Sequence, residues 1–166
     1  MEDNKIIKLV YTFFLGLLLA VFVGVGIDTF YPPPEEPKYQ EDYSIQRARQ
    51  EPTKEELKKQ QEYDKKWEKH QEELKPYNRN VSIVTLLAAF ILIAISIIYD
   101  KKLKFLSDGV MLGGLFTLFY SIGRGFASSS SSYVFIIVSA GLALVLYLGY
   151  RRFVKPQPPK KSKITK

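Results

Sequence analysis

The residues best suited to chemistry are few and widely separated. The chain has one histidine, His70, and no cysteine, which excludes thiolate nucleophiles, disulfides and thiolate metal sites. His70 has no second nitrogen ligand, so a packed imidazole is favoured over a metal ligand. The serine run Ser128–Ser132 has no histidine or lysine base close by. A catalytic serine is therefore not expected there.

Sequence motifs that carry known chemistry give no support for an enzyme. The chain contains no HExxH motif, no P-loop and no dinucleotide fingerprint. Its long apolar stretches also lack the Asp, Glu and His residues that mark proton relays in membranes. We expect no catalytic residues, no cofactor site and no metal site, although the acids between the first two apolar stretches leave other chemistry open.

Two charges stand at the edges of apolar stretches and could meet. Asp28 follows the first stretch, and Arg124 lies near the end of the third. If both stretches cross a membrane, both charges fall at the same interface, and we hypothesise an ion pair between them. The alternative is that Arg124 extends to the lipid headgroups by itself.

Four apolar blocks must position these residues. The first two contain nineteen residues each without a charge, and nineteen helical residues span roughly 28 Å, close to a hydrocarbon core. Backbone groups in lipid must be hydrogen-bonded within their own segment, so each block is predicted to be a helix. The mean hydropathy of −0.07 hides these blocks by averaging them with charged segments. The blocks are Leu9–Ile27, Val81–Tyr99, Gly109–Phe126 and Tyr133–Tyr150.

The predicted fold is all-α: a polytopic helical bundle with four transmembrane helices and an extracytoplasmic helical hairpin between the first two. The first block has the basic start of a signal peptide, but its length favours a retained anchor. The segments are 1–27 (tail and first helix), 28–80 (Pro-rich linker and hairpin), 81–99 (second helix), 100–108 (loop), 109–126 (third helix), 127–132 (Ser-rich turn), 133–150 (fourth helix) and 151–166 (basic tail).

The distribution of basic residues predicts the topology. Twelve lysines and arginines lie in the two tails and the 100–108 loop, against four acids. The positive-inside rule therefore places both termini in the cytoplasm and residues 28–80 outside it. The net charge of +7 follows from this arrangement. The basic tail could attract acidic lipids or RNA, but a topology signal is favoured and no nucleic-acid partner is expected.

The 28–80 segment is predicted to form the hairpin. Pro32–Pro34 favours a stiff polyproline II exit from the membrane, and residues 36–51 are a weak helix candidate. After Pro52, Thr53–Glu56 matches a capping box at the start of the second hairpin helix. Separately, the serine turn before the fourth helix could cap that helix through a side-chain hydrogen bond. The composition up to Lys75 strongly favours helix.

An aromatic seam runs along this second hairpin helix. Its spacings of four and three are typical of a coiled-coil contact. The partner could be the preceding helix, through Tyr39 and Tyr43, or the same helix of another subunit; the functional alternative is an exposed patch that recognises a partner. Packing inside the hairpin is favoured. The seam consists of Leu57, Tyr63, Trp67, His70, Leu74 and Tyr77.

Small residues recur every fourth position in two of the blocks. Such stripes let helix backbones approach closely in lipid, where van der Waals packing drives association. Packing of the first helix against the third within one chain is favoured over assembly of a homo-oligomer. The stripes are Thr12, Gly16, Ala20 and Gly24 in the first block, and Gly109, Gly113, Thr117, Ser121 and Gly125 in the third.

The layout favours a membrane-embedded structural or interaction protein that presents the hairpin to a partner or to a second copy. A small oligomeric channel or transporter subunit is the alternative, with a pore around polar positions such as Thr117 and Ser121. The first helix running into Gly26–Pro32, followed by a charged helical loop, resembles uncharacterised small four-helix integral membrane proteins of bacteria. That resemblance implies a bacterial cell membrane and supplies no activity and no functional residues.

Overall fold

The computed structural model describes residues 3–38, 54–100 and 103–151. They form four α-helices: α1 (Asp3–Phe30), α2 (Lys54–Tyr99), α3 (Lys104–Ala127) and α4 (Ser131–Gly149). Each helix is long and apolar enough to cross a membrane. The described part of the chain is therefore all-helical, with the length and composition of a multi-pass membrane protein.

Helix α2 joins two segments that the sequence patterns separate. It runs for 46 residues without interruption, with Pro76 inside it, whereas the prediction assigned residues up to 80 to the hairpin segment and began a separate transmembrane helix at Val81. Proline removes one backbone hydrogen bond and often kinks or ends a helix. Here the residues before Pro76 are strong helix formers, and the helix continues. We call Lys54–Lys75, its charged first half, the arm.

The predicted hairpin is not seen. Residues 32–38 form neither helix nor strand, so Glu36–Lys38, the described start of the predicted 36–51 helix, is not helical. The rest of that prediction, from Tyr39 onward, lies outside the described residues, as does Thr53 of the capping box. Helix α1 ends at Phe30, as expected where three prolines follow.

Helix α3 is the centre of the bundle. It packs against α1, α2 and α4, whereas α1 and α2 hardly touch. Its buried residues follow one another along most of its length, while the large apolar side chains of α1 point outward. This exposure suits a lipid environment. We call the end where α1 and α3 finish and α4 begins the arm end; the opposite end, with the amino terminus and Arg151, is the basic end.

Helices α1 and α3 cross where their glycines meet. A Cβ placed on Gly113 would lie 2.9 Å from Leu19 Cβ and 3.2 Å from the carbonyl oxygen of Gly16. A Cβ on Gly109 would lie 2.5 Å from Leu15 Cδ2. These separations leave no room for a side chain, so the glycines set how closely the two backbones approach.

The remainder of the α3 stripe turns away from α1. The Ser121 hydroxyl donates a hydrogen bond to the Ser82 carbonyl of α2, and a Cβ on Gly125 would lie 3.3 Å from Ser82 Oγ. A four-residue step exceeds one helical turn by about 40°, so a stripe of sixteen residues rotates by roughly 160°. The expectation of one continuous α1–α3 contact is therefore met only by Gly109 and Gly113. On α1, Gly16 is buried, whereas Thr12, Ala20 and Gly24 are half-buried.

We predict that Gly113→Val destabilises the protein by about 1–3 kcal/mol, because the added side chain must push α1 and α3 apart. Gly123→Val in the same helix is the control, since nothing lies within 4 Å of a Cβ at that position. The free energy of unfolding measured by SDS titration in mixed micelles tests this. Equal losses in the two variants would contradict the close crossing.

Candidate functional site

The longest internal contact is an antiparallel seam between α2 and α3. Small residues line it at seven-residue intervals on both helices. A seven-residue period keeps two helices in register along a left-handed crossing. The facing pairs are Ser82 with Ser121, Ala89 with Gly114, and Ser96 with Ser107.

The two serine pairs form reciprocal hydrogen bonds to the opposite backbone. The Ser82 hydroxyl donates to the Ser121 carbonyl at 2.7 Å, and the Ser121 hydroxyl donates back to Ser82 at 2.8 Å. At the other end, Ser96 and Ser107 make the same exchange at 2.7 Å in both directions. Each hydroxyl is satisfied without water, as a lipid-embedded contact requires.

This seam was missed because the search for small residues used a four-residue period. Ser82, Ala89 and Ser96 lie seven apart, as do Ser107, Gly114 and Ser121. That repeat was the available signal. It predicts which faces of α2 and α3 meet, which the four-residue stripe does not.

Arg124 is the main polar junction at the arm end. Its Nη2 lies 3.6 Å from Asp28 Oδ1 of α1, so the structure brings the two hypothesised charges together. Its Nε donates to the Tyr120 hydroxyl at 2.9 Å, and its Nη1 donates to Asn78 Oδ1 at 2.9 Å. The guanidinium also lies over the ring of Tyr77, 5.7 Å from its centroid. One side chain thus connects α1, α2 and α3.

The base of the arm is held by tyrosines. Tyr77 stacks on Tyr31 with ring centroids 5.2 Å apart, and its hydroxyl donates to Asp28 Oδ1 at 3.3 Å. Tyr133 of α4 donates to the carbonyl of Arg79 at 3.1 Å. The residues just after Pro76 therefore contact α4, α1 and Tyr31, the residue that follows α1.

The serine turn does not cap α4 as predicted. Ser130 occupies the N-cap position, but its side chain makes no capping hydrogen bond. Ser128 instead donates backward to the carbonyl of Gly125 at 2.7 Å. Ser129 adopts a positive φ of 59°, which reverses the chain between α3 and α4. Ser128 and Ser129 thus cap the C-terminal end of α3.

The predicted aromatic seam divides into an exposed part and a buried part. On the arm, Leu57 is 44% exposed and Trp67 is 42% exposed. Tyr63 and Leu74 are half-buried, and His70 is 5% exposed. Trp67 stacks between Tyr63, at a centroid distance of 6.4 Å, and His70, at 5.6 Å. Leu57 and Trp67 therefore provide the exposed apolar surface of the seam.

The described residues offer no metal site. Within 3–38, 54–100 and 103–151, no group of three His, Cys, Asp or Glu side chains could hold an ion. The Nδ1 atom of the buried His70 has no hydrogen-bond partner there. Its observed contact is with the indole of Trp67, at a centroid distance of 5.6 Å, so the imidazole packs there as an aromatic ring.

Comparison with known proteins leaves the function to be argued from these contacts. No protein-family model matches the chain, and neither a curated protein nor a solved structure is similar to it.

We predict that Arg124→Gln costs more stability than Asp28→Asn. Arg124→Gln weakens the hydrogen bonds to Asn78 and Tyr120. Asn78 is only 7% exposed, so its side-chain oxygen is left buried without its charged donor, and we expect the free energy of unfolding to fall by about 1–3 kcal/mol. The Asp28 side chain is 49% exposed, so its ion pair contributes about 0–1 kcal/mol.

Thermal unfolding in detergent tests which variant loses more stability. Arg79→Gln is the control, because it removes an equal charge from an exposed side chain next to the junction residue Asn78. A charge-reversed pair, Asp28→Arg with Arg124→Asp, should restore little, because Asn78 and Tyr120 lose their donor. Full rescue by that pair, or an Asp28→Asn loss equal to that of Arg124→Gln, would contradict this account.

Proposed function

We propose that this protein is a multi-pass membrane scaffold that holds the arm of α2 outside the bilayer to bind a protein partner. The observation that carries the proposal is the continuity of α2 through Pro76. A helix of 46 residues is roughly 69 Å long, more than twice the thickness of a hydrocarbon core. The charged half must therefore stand in water.

The contact surface we propose lies far from the membrane. Trp67 precedes Val81, the first residue of the apolar block, by fourteen residues, or about 21 Å of helix. A tryptophan at that height is too remote to act as an interfacial anchor. Together with the exposed Leu57, it supplies the kind of aromatic and aliphatic anchor that protein interfaces use.

The charge of the arm favours recognition through this apolar surface. Residues 54–75 carry seven lysines and seven acids, so the arm has no net charge with which to attract an oppositely charged partner. We expect binding that depends weakly on salt, because charge steering is the salt-sensitive component of association.

The proposed orientation follows from the charges at the basic end. Lys5, Lys8, Lys104 and Arg151 all lie there in the described structure, on helix ends at the side opposite the arm. By the positive-inside rule that side is cytoplasmic. The arm is then extracytoplasmic, and we propose a bacterial cell membrane as the setting.

The internal hydroxyls favour a scaffold over the channel alternative. Thr117 and Ser121, which a pore between subunits would need at its wall, are each 0% exposed. Thr117 donates to the carbonyl of Gly113, and Ser121 donates to Ser82. Both hydroxyls are occupied within one chain, so they are not presented to a neighbouring subunit.

Site-specific photocrosslinking in the native membrane tests the proposal. A benzophenone amino acid placed at Trp67 should give a discrete crosslinked product. The same probe at Lys65, about 200° around the helix, should give much less. Both side chains are exposed, so the pair differs in face and not in height or access.

Two results would contradict the scaffold. One is crosslinking of equal yield from both positions, which indicates random collision. The other is solute or ion flux in proteoliposomes well above that of empty vesicles, which would favour the channel. Yields that stay constant between low and high salt are expected from the neutral arm.

A further inference from the structure

A cleft at the basic end carries an unassigned pair of opposite charges. It has a volume of about 80 Å³, is open on one side, and lies between the end of α2, the start of α3 and the end of α4. Asp100 lines it after α2, and Arg151 lines it after α4. Met111 and Leu148 contribute apolar wall.

Among the described residues that line the cleft, the two charged side chains are the polar groups left to bind a ligand. The hydroxyls of Ser96 and Ser107, which also line the cleft, are occupied by their reciprocal bonds. In the described ranges, no hydrogen bond or ion pair joins the Asp100 or Arg151 side chain to another group. The cleft therefore offers one free carboxylate and one free guanidinium.

Its depth matches that of lipid headgroups. Asp100 directly follows Tyr99, where the apolar block of α2 ends, and Arg151 directly follows Tyr150, where that of α4 ends. Tyrosines at both edges mark the membrane interface. A cleft between helices at this level opens toward headgroups above and acyl chains below.

We propose that this cleft binds a phospholipid whose zwitterionic headgroup carries a primary ammonium group, as phosphatidylethanolamine does. The Arg151 guanidinium holds the phosphate, for which its planar donors are suited. The Asp100 carboxylate accepts hydrogen bonds from the ammonium. Met111 and Leu148 contact the glycerol and the first methylenes of the acyl chains.

The acid gives this site its selectivity. Phosphatidylcholine bears a trimethylated ammonium that cannot donate a hydrogen bond, so it gains less from Asp100. Phosphatidylglycerol has only neutral hydroxyls where phosphatidylethanolamine has its ammonium, so it gives the carboxylate no charge partner and nothing offsets the repulsion between the carboxylate and the phosphate. A basic end that attracted lipids by net charge alone would prefer phosphatidylglycerol instead. The proposed site and attraction by net charge thus predict opposite orders of affinity for phosphatidylethanolamine and phosphatidylglycerol.

Native mass spectrometry of the detergent-solubilised full chain tests the proposal by titration with each of the three lipids. Phosphatidylethanolamine should bind about fivefold to tenfold more tightly than phosphatidylglycerol, the value of one typical net hydrogen bond. Asp100→Asn should remove that preference. Arg151→Gln should weaken binding of all three lipids, whereas Lys5→Gln, which removes an exposed charge at the same end, should change little.

Asp100→Glu is the variant that separates a lost site from a damaged fold, because it retains the carboxylate and should retain the preference. Tighter binding of phosphatidylglycerol than of phosphatidylethanolamine would overturn the proposal, as would equal weakening by Lys5→Gln and Arg151→Gln. The readout is independent of the arm, so failure here leaves the scaffold proposal standing.

Discussion

The close antiparallel contact between α2 and α3 is the interaction on which the rest of the structure depends. In lipid, apolar side chains gain little by leaving their surroundings, so helices associate through tight packing and internal hydrogen bonds. The seam supplies both: Ala89 faces Gly114 at its centre, where a Cβ on the glycine would lie 3.2 Å from the alanine carbonyl. The serine pairs close it at either end.

That contact fixes the orientation of α2 within the bundle. Because the arm continues the same helix, the contact also sets the direction in which the arm points. Arg124 and Tyr77 then bind the base of the arm to α1 and α3, and Tyr133 binds it to α4. A long helix that is held along its lower half and at its exit point keeps its upper half in one orientation. The exposed Trp67, within the arm, is therefore held at a fixed position relative to the bundle, as the proposed partner binding requires.

Much of this architecture could be predicted from the sequence. Charge-free blocks of nineteen residues and the hydrocarbon thickness predict the helices, and the placement of Asp28 and Arg124 at block ends suggested their proximity. The continuity of α2 was not predicted, because its charged part and its apolar part were assigned to separate elements. Helix formers before Pro76 and the contacts of Tyr77 outweigh the one hydrogen bond that the proline removes. The serine pairs were not predicted because the small-residue stripes were drawn at a four-residue period, whereas the pairs recur every seventh residue.

The central claim is that α2 is one continuous helix from the arm into the bilayer, and a distance measurement tests it most directly. The chain has no cysteine, so paired cysteines carry spin labels without background. Labels at Glu62 and Leu87, both exposed, lie 25 residues apart on nearly the same face. In lipid nanodiscs, pulsed dipolar spectroscopy should give a single narrow distribution near roughly 38 Å. A broad distribution, or one centred well below that distance, would show a helix broken at Pro76 and would contradict the account.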